Sequence, residues 1–483
     1  MRVLITGYEV APFFKRGGLG DVMGSLPKAL NKIDVDCRVV VPYYVEIQEK
    51  VNGKKIGEFH ILFGDKEEEI GIYESKLPGS DCIIYFLSNK SVLSYINLRG
   101  RNKTIDQFAF FSLAVVRFIS WLNVNKKWNV DLIHCNDWHT ALIPSILKNK
   151  VRIFIPTLLT IHNLSYQGFG SRKVLDLLRM RDEETREIKR DVPAKEIDIL
   201  GEGILHATRV STVSPSYAAE IMKEEHWHRE IYAYLRKRER ILKNDGNIIG
   251  ILNGIDYDVW NPEKDDNLFK KYNVSDEEIG KEVAKEALLK LFSLKPGPTL
   301  CFIGRMATHK GIEILIKAVK MIVQQNANMI FLGSGNPNIE RSVKRIAQQY
   351  PDNVRAETNY NEELSHKLYA GSDFIIIPSH FEPCGLIQMI AMRYGTLPIA
   401  SNTGGLKDSI INGKNGFLFE NGKSLRLKKT IEHALNKMKD KERFRKMVEC
   451  AMKTDFSWDK SAVLYKKLYE DMIGQLKRKA LTG

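Results

Sequence analysis

The feature that most constrains this 483-residue chain is a pattern it carries twice: a short apolar run, a loop dense in glycine and charge, a helix-length segment, and another apolar run. The first copy opens with Val3-Leu4-Ile5 and passes through Lys15-Arg16-Gly17-Gly18-Leu19-Gly20-Asp21. A helix-length stretch from Gly20 to Asn31 follows, then a second strand, Arg38 to Val41. Further apolar strands are predicted at 83–87, 132–135, 158–161 and 210–213. Strands that are apolar throughout and alternate with helices belong in a doubly wound, largely parallel sheet covered on both faces. After the turn cluster Lys295-Pro296-Gly297-Pro298 the pattern restarts, with strand 299–303, an amphipathic helix over 312–323, and strands at 329–332, 374–377 and 397–400. Two α/β domains are implied, near 1–247 and 251–458, with the boundary in the turn-rich Asn244-Asp245-Gly246-Asn247 or Asn253-Gly254-Ile255-Asp256.

The net charge of +14 raises the question of a polyanionic partner. It is not concentrated: residues 1–250 hold 37 basic and 31 acidic side chains, and residues 251–483 hold 36 and 28. The densest run, Arg236-Lys237-Arg238-Glu239-Arg240, reads as a solvated helix face, so no nucleic-acid partner is expected. Six scattered cysteines without a C-x-x-C pair, and an amino terminus that enters a strand directly, point to reduced thiols in a cytoplasm. The apolar stretch 108–122 is interrupted by Arg117 and reads as a buried core helix; no membrane partner is expected.

Ligands of open α/β sheets bind beyond the carboxyl ends of the strands. The glycines at 17, 18 and 20 can bring main-chain N–H groups to an anion at a helix start, or can form a tight packing turn. They lie too far beyond the strand for a dinucleotide fingerprint, and Val41-Pro42-Tyr43 offers no acidic residue for a ribose. The second domain places Arg305 after its first strand and Lys310 just before its first helix, a fork and a point charge suited to a departing diphosphate. Strand 374–377 leads into His380-Phe381-Glu382-Pro383-Cys384-Gly385-Leu386, and the next strand into Thr403-Gly404-Gly405-Leu406, a further candidate anion nest. Singly, Arg305 and Lys310 also fit surface ion pairs and Glu382 a helix cap.

In one order the chain carries Lys15-x-Gly17-Gly18-Leu19-Gly20-Asp21, Asp137-Trp138-His139, His162-Asn163-Leu164 with Tyr166-Gln167-Gly168, and Ser214-Pro215. Leu252-Asn253-Gly254-Ile255-Asp256, Arg305 with Lys310-Gly311, Phe381-Glu382-Pro383-Cys384-Gly385-Leu386, Thr403-Gly404-Gly405-Leu406 and Phe456-Ser457-Trp458 follow. This series resembles bacterial glycogen synthases and plant starch synthases almost end to end. The resemblance implies a GT-B fold, two Rossmann-like doubly wound domains facing a deep interdomain cleft, with the last helix, 459–483, returning to the first domain. It implies glucose transfer from ADP-glucose to the non-reducing end of an α-1,4-glucan with retained configuration, and no metal or other cofactor.

By the same resemblance Lys15 contacts the donor, Gly17 and Gly18 present N–H groups to the diphosphate, and Arg305 and Lys310 stabilise departing ADP. Glu382, with the Cys384 and Gly385 amides, binds sugar hydroxyls. Asp21, Asp137 and His162 line the reacting centre, the His162 main-chain carbonyl facing the incoming hydroxyl. Asn253, Thr403, Gly404 and Gly405 complete the substrate set. Tyr360 is either a base-stacking ring or a core tyrosine, and Asp137 either a site residue or the cap of a helix beginning near Trp138.

The acceptor side departs from the family. A glycine-rich stretch is replaced by Trp227-His228-Arg229-Glu230-Ile231-Tyr232-Ala233-Tyr234, Phe-Leu-Lys-Ala-Gly by Ile199-Leu200-Gly201-Glu202-Gly203, and the segment 169–195 is rich in charge. Alternatives are therefore a retaining glycosyltransferase with another acceptor, and a weakly catalytic glucan-binding paralogue.

Overall fold

The computed structural model describes residues 1–96, 100–180, 195–223, 229–242 and 247–482. The proposed boundary at 244–246, the divergent Trp227 and His228, and the most charged part of segment 169–195 (residues 181–194) lie outside the described residues. The chain divides into two compact units, Met1–Gly254 with Trp458–Gly483, and Ile255–Ser457.

The first unit holds strands β1 (Arg2–Thr6), β2 (Asp36–Pro42), β3 (Lys54–Phe63), β4 (Lys66–Lys76), β5 (Ile83–Ser88), β6 (Leu132–Asn136) and β7 (Thr157–Ile161). A small pair, β8 (Phe169–Ser171) and β9 (Glu196–Asp198), precedes β10 (Arg209–Thr212) and β11 (Ile249–Gly250). Nine of these form one sheet in the order β11-β10-β7-β6-β1-β2-β5-β4-β3. It is parallel from β11 to β5, and the β3–β4 hairpin is added antiparallel at one edge. Strand order reverses between β1 and β6, so a crevice opens beyond their carboxyl ends. Residues 248–254 fall in this unit, because Ile249 and Gly250 pair with Ser211 and Thr212 and Ile251 enters its core; the division after Gly254 falls in the second of the two expected boundary segments, Asn253-Gly254-Ile255-Asp256.

Helix Gly18–Lys32 turns Leu19, Val22, Met23, Leu26, Ala29 and Leu30 inward, the spacing of a single buried face. Against the same core lies the terminal helix Trp458–Thr482, which buries Trp458, Ala462, Tyr465, Tyr469 and Met472. Tyr469 OH meets His134 Nδ1 at 2.8 Å, and His134 Nε2 meets Thr160 Oγ1 at 2.6 Å. Helix Arg101–Lys126 extends well beyond the expected 108–122. It is long and apolar enough to cross a membrane by composition, and 78% of its most apolar window is buried inside the protein.

The second unit holds one sheet of six parallel strands, β12 (Thr299–Ile303), β13 (Asn328–Leu332), β14 (Val354–Glu357), β15 (Phe374–Ile377), β16 (Leu397–Ser401) and β17 (Phe417–Phe419), in the order β14-β13-β12-β15-β16-β17. Numbered within the unit this is 3-2-1-4-5-6, the Rossmann order, with its switch point between β12 and β15. The expected helix 312–323 is divided into Ile312–Ile316 and Val319–Gln324.

Where the sequence leaves the family pattern, the structure shows one packed unit. Helix Ile199–His206 is capped by Asp198, whose side chain accepts from Gly201 N–H at 3.0 Å. Helix Arg229–Leu242 lies against it, and a Cβ on Gly201 would fall 2.5 Å from the Tyr234 ring. Arg238 is not on a solvated face: it is 1% exposed and donates to the carbonyls of Ile204, Ala207 and Thr208 at 2.7, 2.7 and 2.8 Å. Its guanidinium serves the unpaired carbonyls at the end of helix Ile199–His206. We predict that Gly201→Ala lowers the thermal midpoint by an overpacking cost of about 1–3 kcal/mol. Tyr234→Ala, which vacates that space, should remove most of the effect; equal effects of Gly201→Ala in both backgrounds would refute the packing account.

Candidate active site

In the first unit the loop after β1 folds back on itself: Val10 and Phe14 exchange both main-chain hydrogen bonds at 2.8 Å. The turn sets Glu9 opposite the start of helix Gly18–Lys32. There the Glu9 carboxylate accepts from the Arg16 N–H and from the Gly17 N–H, the latter at 3.0 Å. Gly17 is therefore already engaged by an internal anion, while Gly18 is exposed as the first residue of the helix. Burial pushes the Glu9 carboxyl up to about 7; the Arg16, Gly17 and Gly20 amides pull it down and the Asp21 charge raises it. Lys15 Nζ lies 2.7 Å from Asp21 Oδ1, both side chains partly open to solvent.

Asp137 follows β6, on the other side of the strand-order reversal. Its backbone has φ 57° and ψ −178°, a region that favours glycine and strains other residues by about 1–3 kcal/mol. No side-chain cap bond is made to the short helix beginning at Trp138, so the capping alternative is set aside. Instead Oδ1 accepts from His162 N–H at 2.7 Å, and the Asn163 N–H also donates to this carboxylate. His162 Nε2 lies 2.8 Å from Asn136 Oδ1, and burial pushes the ring down to about 3. The ring is thus neutral near pH 7, and because Asn136 Oδ1 can only accept, Nε2 carries the proton. Tyr8, the neighbour of Glu9, stacks on His139 with ring centroids 3.7 Å apart.

In the second unit Arg305 follows β12 and is exposed, and Lys310 ends the turn Thr308–Lys310. Gly311 then adopts φ 66° with its ideal Cβ only 1.9 Å from Pro378 O, so the loop after β12 closes on the end of β15. Lys310 Nζ reaches Glu382 Oε2 at 2.6 Å, and Ser379 Oγ donates to the same oxygen at 2.9 Å. Both members of the pair are largely buried, and Glu382 is not a helix cap, since the next helix, Ile387–Arg393, starts beyond it. His380 joins the same loops: its N–H donates to His309 O at 2.8 Å and its Nε2 lies 2.6 Å from Glu313 Oε1.

Gly404, at φ 45°, and Gly405 pack against the main chain of Glu382 and Cys384, and the Gly405 N–H donates to Glu382 O at 3.1 Å. The pair therefore fits as a close-approach contact, with Thr403 buried beside it. Cys384 is buried, Gly385 takes φ 75°, and both carbonyls accept from Gln388 Nε2. Tyr360 is 52% exposed, which removes the core-tyrosine alternative. Asn253 lies in the first unit, buried, with its Oδ1 unpartnered among the described residues. No group of three or more metal-ligating side chains occurs among the described residues.

The family model of the starch synthase catalytic domain matches residues 2–237, and that of glycosyl transferases group 1 matches residues 288–449. The chain is 36% identical to a glycogen synthase of Thermodesulfovibrio yellowstonii over 514 residues, covering 100% of both. It is 38% identical to one of Lactococcus lactis over 496 residues, covering 98% of this chain and 100% of the other. The chain belongs to the glycogen synthase family. Among solved structures, the catalytic domain of starch synthase IV from Arabidopsis thaliana, bound to ADP and acarbose, matches with a TM-score of 0.88 at 31% identity over 98% of this chain and 99% of the other. Sucrose-phosphate synthase of Thermosynechococcus elongatus, at 19% identity and TM-score 0.62, shares the GT-B glycosyltransferase fold.

Within this glycogen synthase family member, sequence reasoning overlooked Glu9, Tyr8 and Ser379, and gave His380 no role of its own. Glu9 had a usable signal: an acidic residue in the loop between an apolar strand and a glycine-rich helix start can fold onto the free amides. Asp137 was singled out from the family resemblance, and its partners are main-chain amides far away in sequence.

Burial pushes the Asp137 carboxyl up to about 7, the His162 and Asn163 amides opposing and Glu9 adding to the rise. A folded-state value above that of the unfolded chain means that the ionised carboxylate destabilises the fold above about pH 7, a penalty that fades as pH falls toward about 4. We predict that Asp137→Asn melts above the wild type at pH 8 and that the gap closes on acidification. Glucosyl transfer at pH 8 should fall about a hundredfold. A midpoint below the wild type at pH 8 would show that the charge is needed for folding.

Proposed function

We propose that this chain is a glycogen synthase that moves glucose from ADP-glucose to the non-reducing end of an α-1,4-glucan with retention of configuration. The observation that carries this reading is the Lys310–Glu382 pair at the β12/β15 switch point, with Arg305 in the same loop after β12 as Lys310. Cations at that place in a Rossmann-order sheet suit the diphosphate of a nucleotide sugar, and a buried carboxylate suits sugar hydroxyls. The full-length likeness to glycogen synthases and the likeness to a starch synthase bound to ADP and acarbose support the same donor and acceptor classes.

In this reading Arg305 and Lys310 neutralise the charge that grows on ADP as it departs, Lys15 contacts the diphosphate, Glu382 receives sugar hydroxyls, and Tyr360 stacks on the base. Asp21 steadies Lys15 through their ion pair. His162 contributes its carbonyl. The Asn163 N–H belongs to the same planar peptide and is held by Asp137, so the His162 C=O points the opposite way, away from that carboxylate.

Neither carboxylate is a free nucleophile: Glu382 is paired with Lys310, and Asp137 is occupied by main-chain amides. Substitution on the front face follows. The bond from the anomeric carbon to the ADP oxygen breaks, the acceptor hydroxyl forms the new bond on the same face, and its proton passes to the departing phosphate oxygen.

The test is purified protein with radiolabelled ADP-glucose or UDP-glucose and glycogen, maltooligosaccharide or no acceptor. Glucan lengthening from ADP-glucose is expected; donor hydrolysis without lengthening would point to another acceptor, and no turnover with glucan binding retained to a binding protein. Lys15→Ala and Arg305→Ala should each cut kcat by about a hundredfold, and near-normal turnover in either would remove that residue from the donor site.

A further inference from the structure

The main-chain amides at the start of helix Gly18–Lys32 form the kind of nest that binds phosphate in many α/β proteins. Here that place already has an occupant. Glu9 is 1% exposed and puts one carboxylate oxygen on both the Arg16 and Gly17 N–H groups. The chain is built to bring it there. The Val10–Phe14 turn reverses direction between Glu9 and Arg16, and the Ala11 N–H donates to Gly20 O at 2.9 Å. Gly24 lets the turn lie on the helix, since a Cβ there would fall 2.5 Å from Ala11 O. The two amides directly follow the residue that carries the exposed cation: Lys15 precedes Arg16, and its stem packs over Gly20, whose ideal Cβ lies 3.1 Å from Lys15 Cγ.

Resting on the reading of the chain as a nucleotide-sugar transferase, we propose that Glu9 is a positioning residue: a resident carboxyl group that fixes the Arg16 and Gly17 amides so that Lys15, and not those two amides, meets the donor diphosphate. A carboxylate buried on main-chain amides is an expensive arrangement where water or a neutral side chain could serve, as its upward-shifted pKa reflects. Its position accounts for that cost. With the Arg16 and Gly17 amides taken from within, an incoming diphosphate cannot use them, and Lys15 offers it a side-chain cation at a fixed place. The same occupancy separates this loop from phosphate loops whose amides stand open to the ligand.

A double-mutant cycle tests this. ADP-glucose kinetics with glycogen, ADP affinity by calorimetry, and thermal midpoints are measured for wild type, Glu9→Gln, Glu9→Ala, Lys15→Ala and the two double variants. Glu9→Ala should lower kcat/KM for ADP-glucose by about tenfold or more, and Glu9→Gln, which keeps an acceptor but no charge, by less. In the Lys15→Ala background both substitutions should cost less than about twofold, because Glu9 acts through Lys15. Losses that multiply in the double variants would overturn the proposal, as a general structural role does. Tighter ADP binding by either Glu9 variant would also overturn it, by making Glu9 a competitor for the nest. If Glu9→Ala does not fold, the Glu9→Gln arm of the cycle decides. A wild type active on no nucleotide-glucose and blind to ADP would defeat the transferase reading itself, and this inference with it; an active wild type with multiplicative losses defeats the inference alone.

Discussion

The charged loops of the second unit converge because main-chain atoms touch where any other residue would place a side chain. Gly311 sits with its ideal Cβ 1.9 Å from Pro378 O, which ties the loop after β12 to the end of β15. Gly404 sits at the same distance from Glu382 O, which ties the loop after β15 to the start of the helix after β16. Three successive strand ends become one platform. The 2.6 Å contact of Lys310 with Glu382 depends on that convergence, since a largely buried ion pair is worth having only where geometry is fixed and remaining lone pairs are satisfied. Ser379 does the latter from within the same loop.

The first unit solves a comparable problem by other means. Two buried carboxylates, Glu9 and Asp137, each take up main-chain amides of a strand-end loop: Arg16 and Gly17 in one case, His162 and Asn163 in the other. Burial raises both toward 7, so each loop is shaped at a cost in charge burial that the amides partly offset. Asp137 adds backbone strain to that cost. Strain and buried charge gathered beyond the carboxyl ends of β1 and β6, where an open α/β sheet binds its ligands, are the marks of a site held in shape for chemistry. The result is orientation: a cation at Lys15, and a His162 carbonyl turned by the peptide whose N–H Asp137 holds.

Much of this could be read from the sequence, and the exceptions have physical causes. Buried parallel strands such as 299–303 and 374–377 are apolar throughout and stand out. The β3–β4 hairpin does not, because it lies at an edge with one face open: Phe59 and Ile61 are buried while Glu58, His60 and Leu62 are exposed, and only the Gly64-Asp65 turn hints at the pairing. Strands β14 and β17 are four and three residues long, too short for any period. In the site, residue types in the loops after strands pointed to Lys15, Arg305, Lys310 and Glu382, and the family resemblance pointed to Asp137, but neither disclosed their partners. Glu9 and Gly17 meet only through a tight turn, and Asp137 reaches amides 25 residues away, contacts that a linear pattern does not encode.

The charge run 236–240 shows the same limit from the other side. Its composition describes a solvated face, yet Arg238 is buried on three carbonyls, and what buries it is the company it keeps. Gly201 stands where the family resemblance implies a lysine, and only a glycine leaves room for the Tyr234 ring. With that ring seated, helix Arg229–Leu242 lies close enough for Arg238 to serve the carbonyls at the end of helix Ile199–His206. Gly201, Tyr234 and Arg238 therefore belong to one packing arrangement. That arrangement leaves Glu9 and Asp137 with their main-chain partners and the His162 ring with Asn136, so divergence here is compatible with an unaltered donor chemistry.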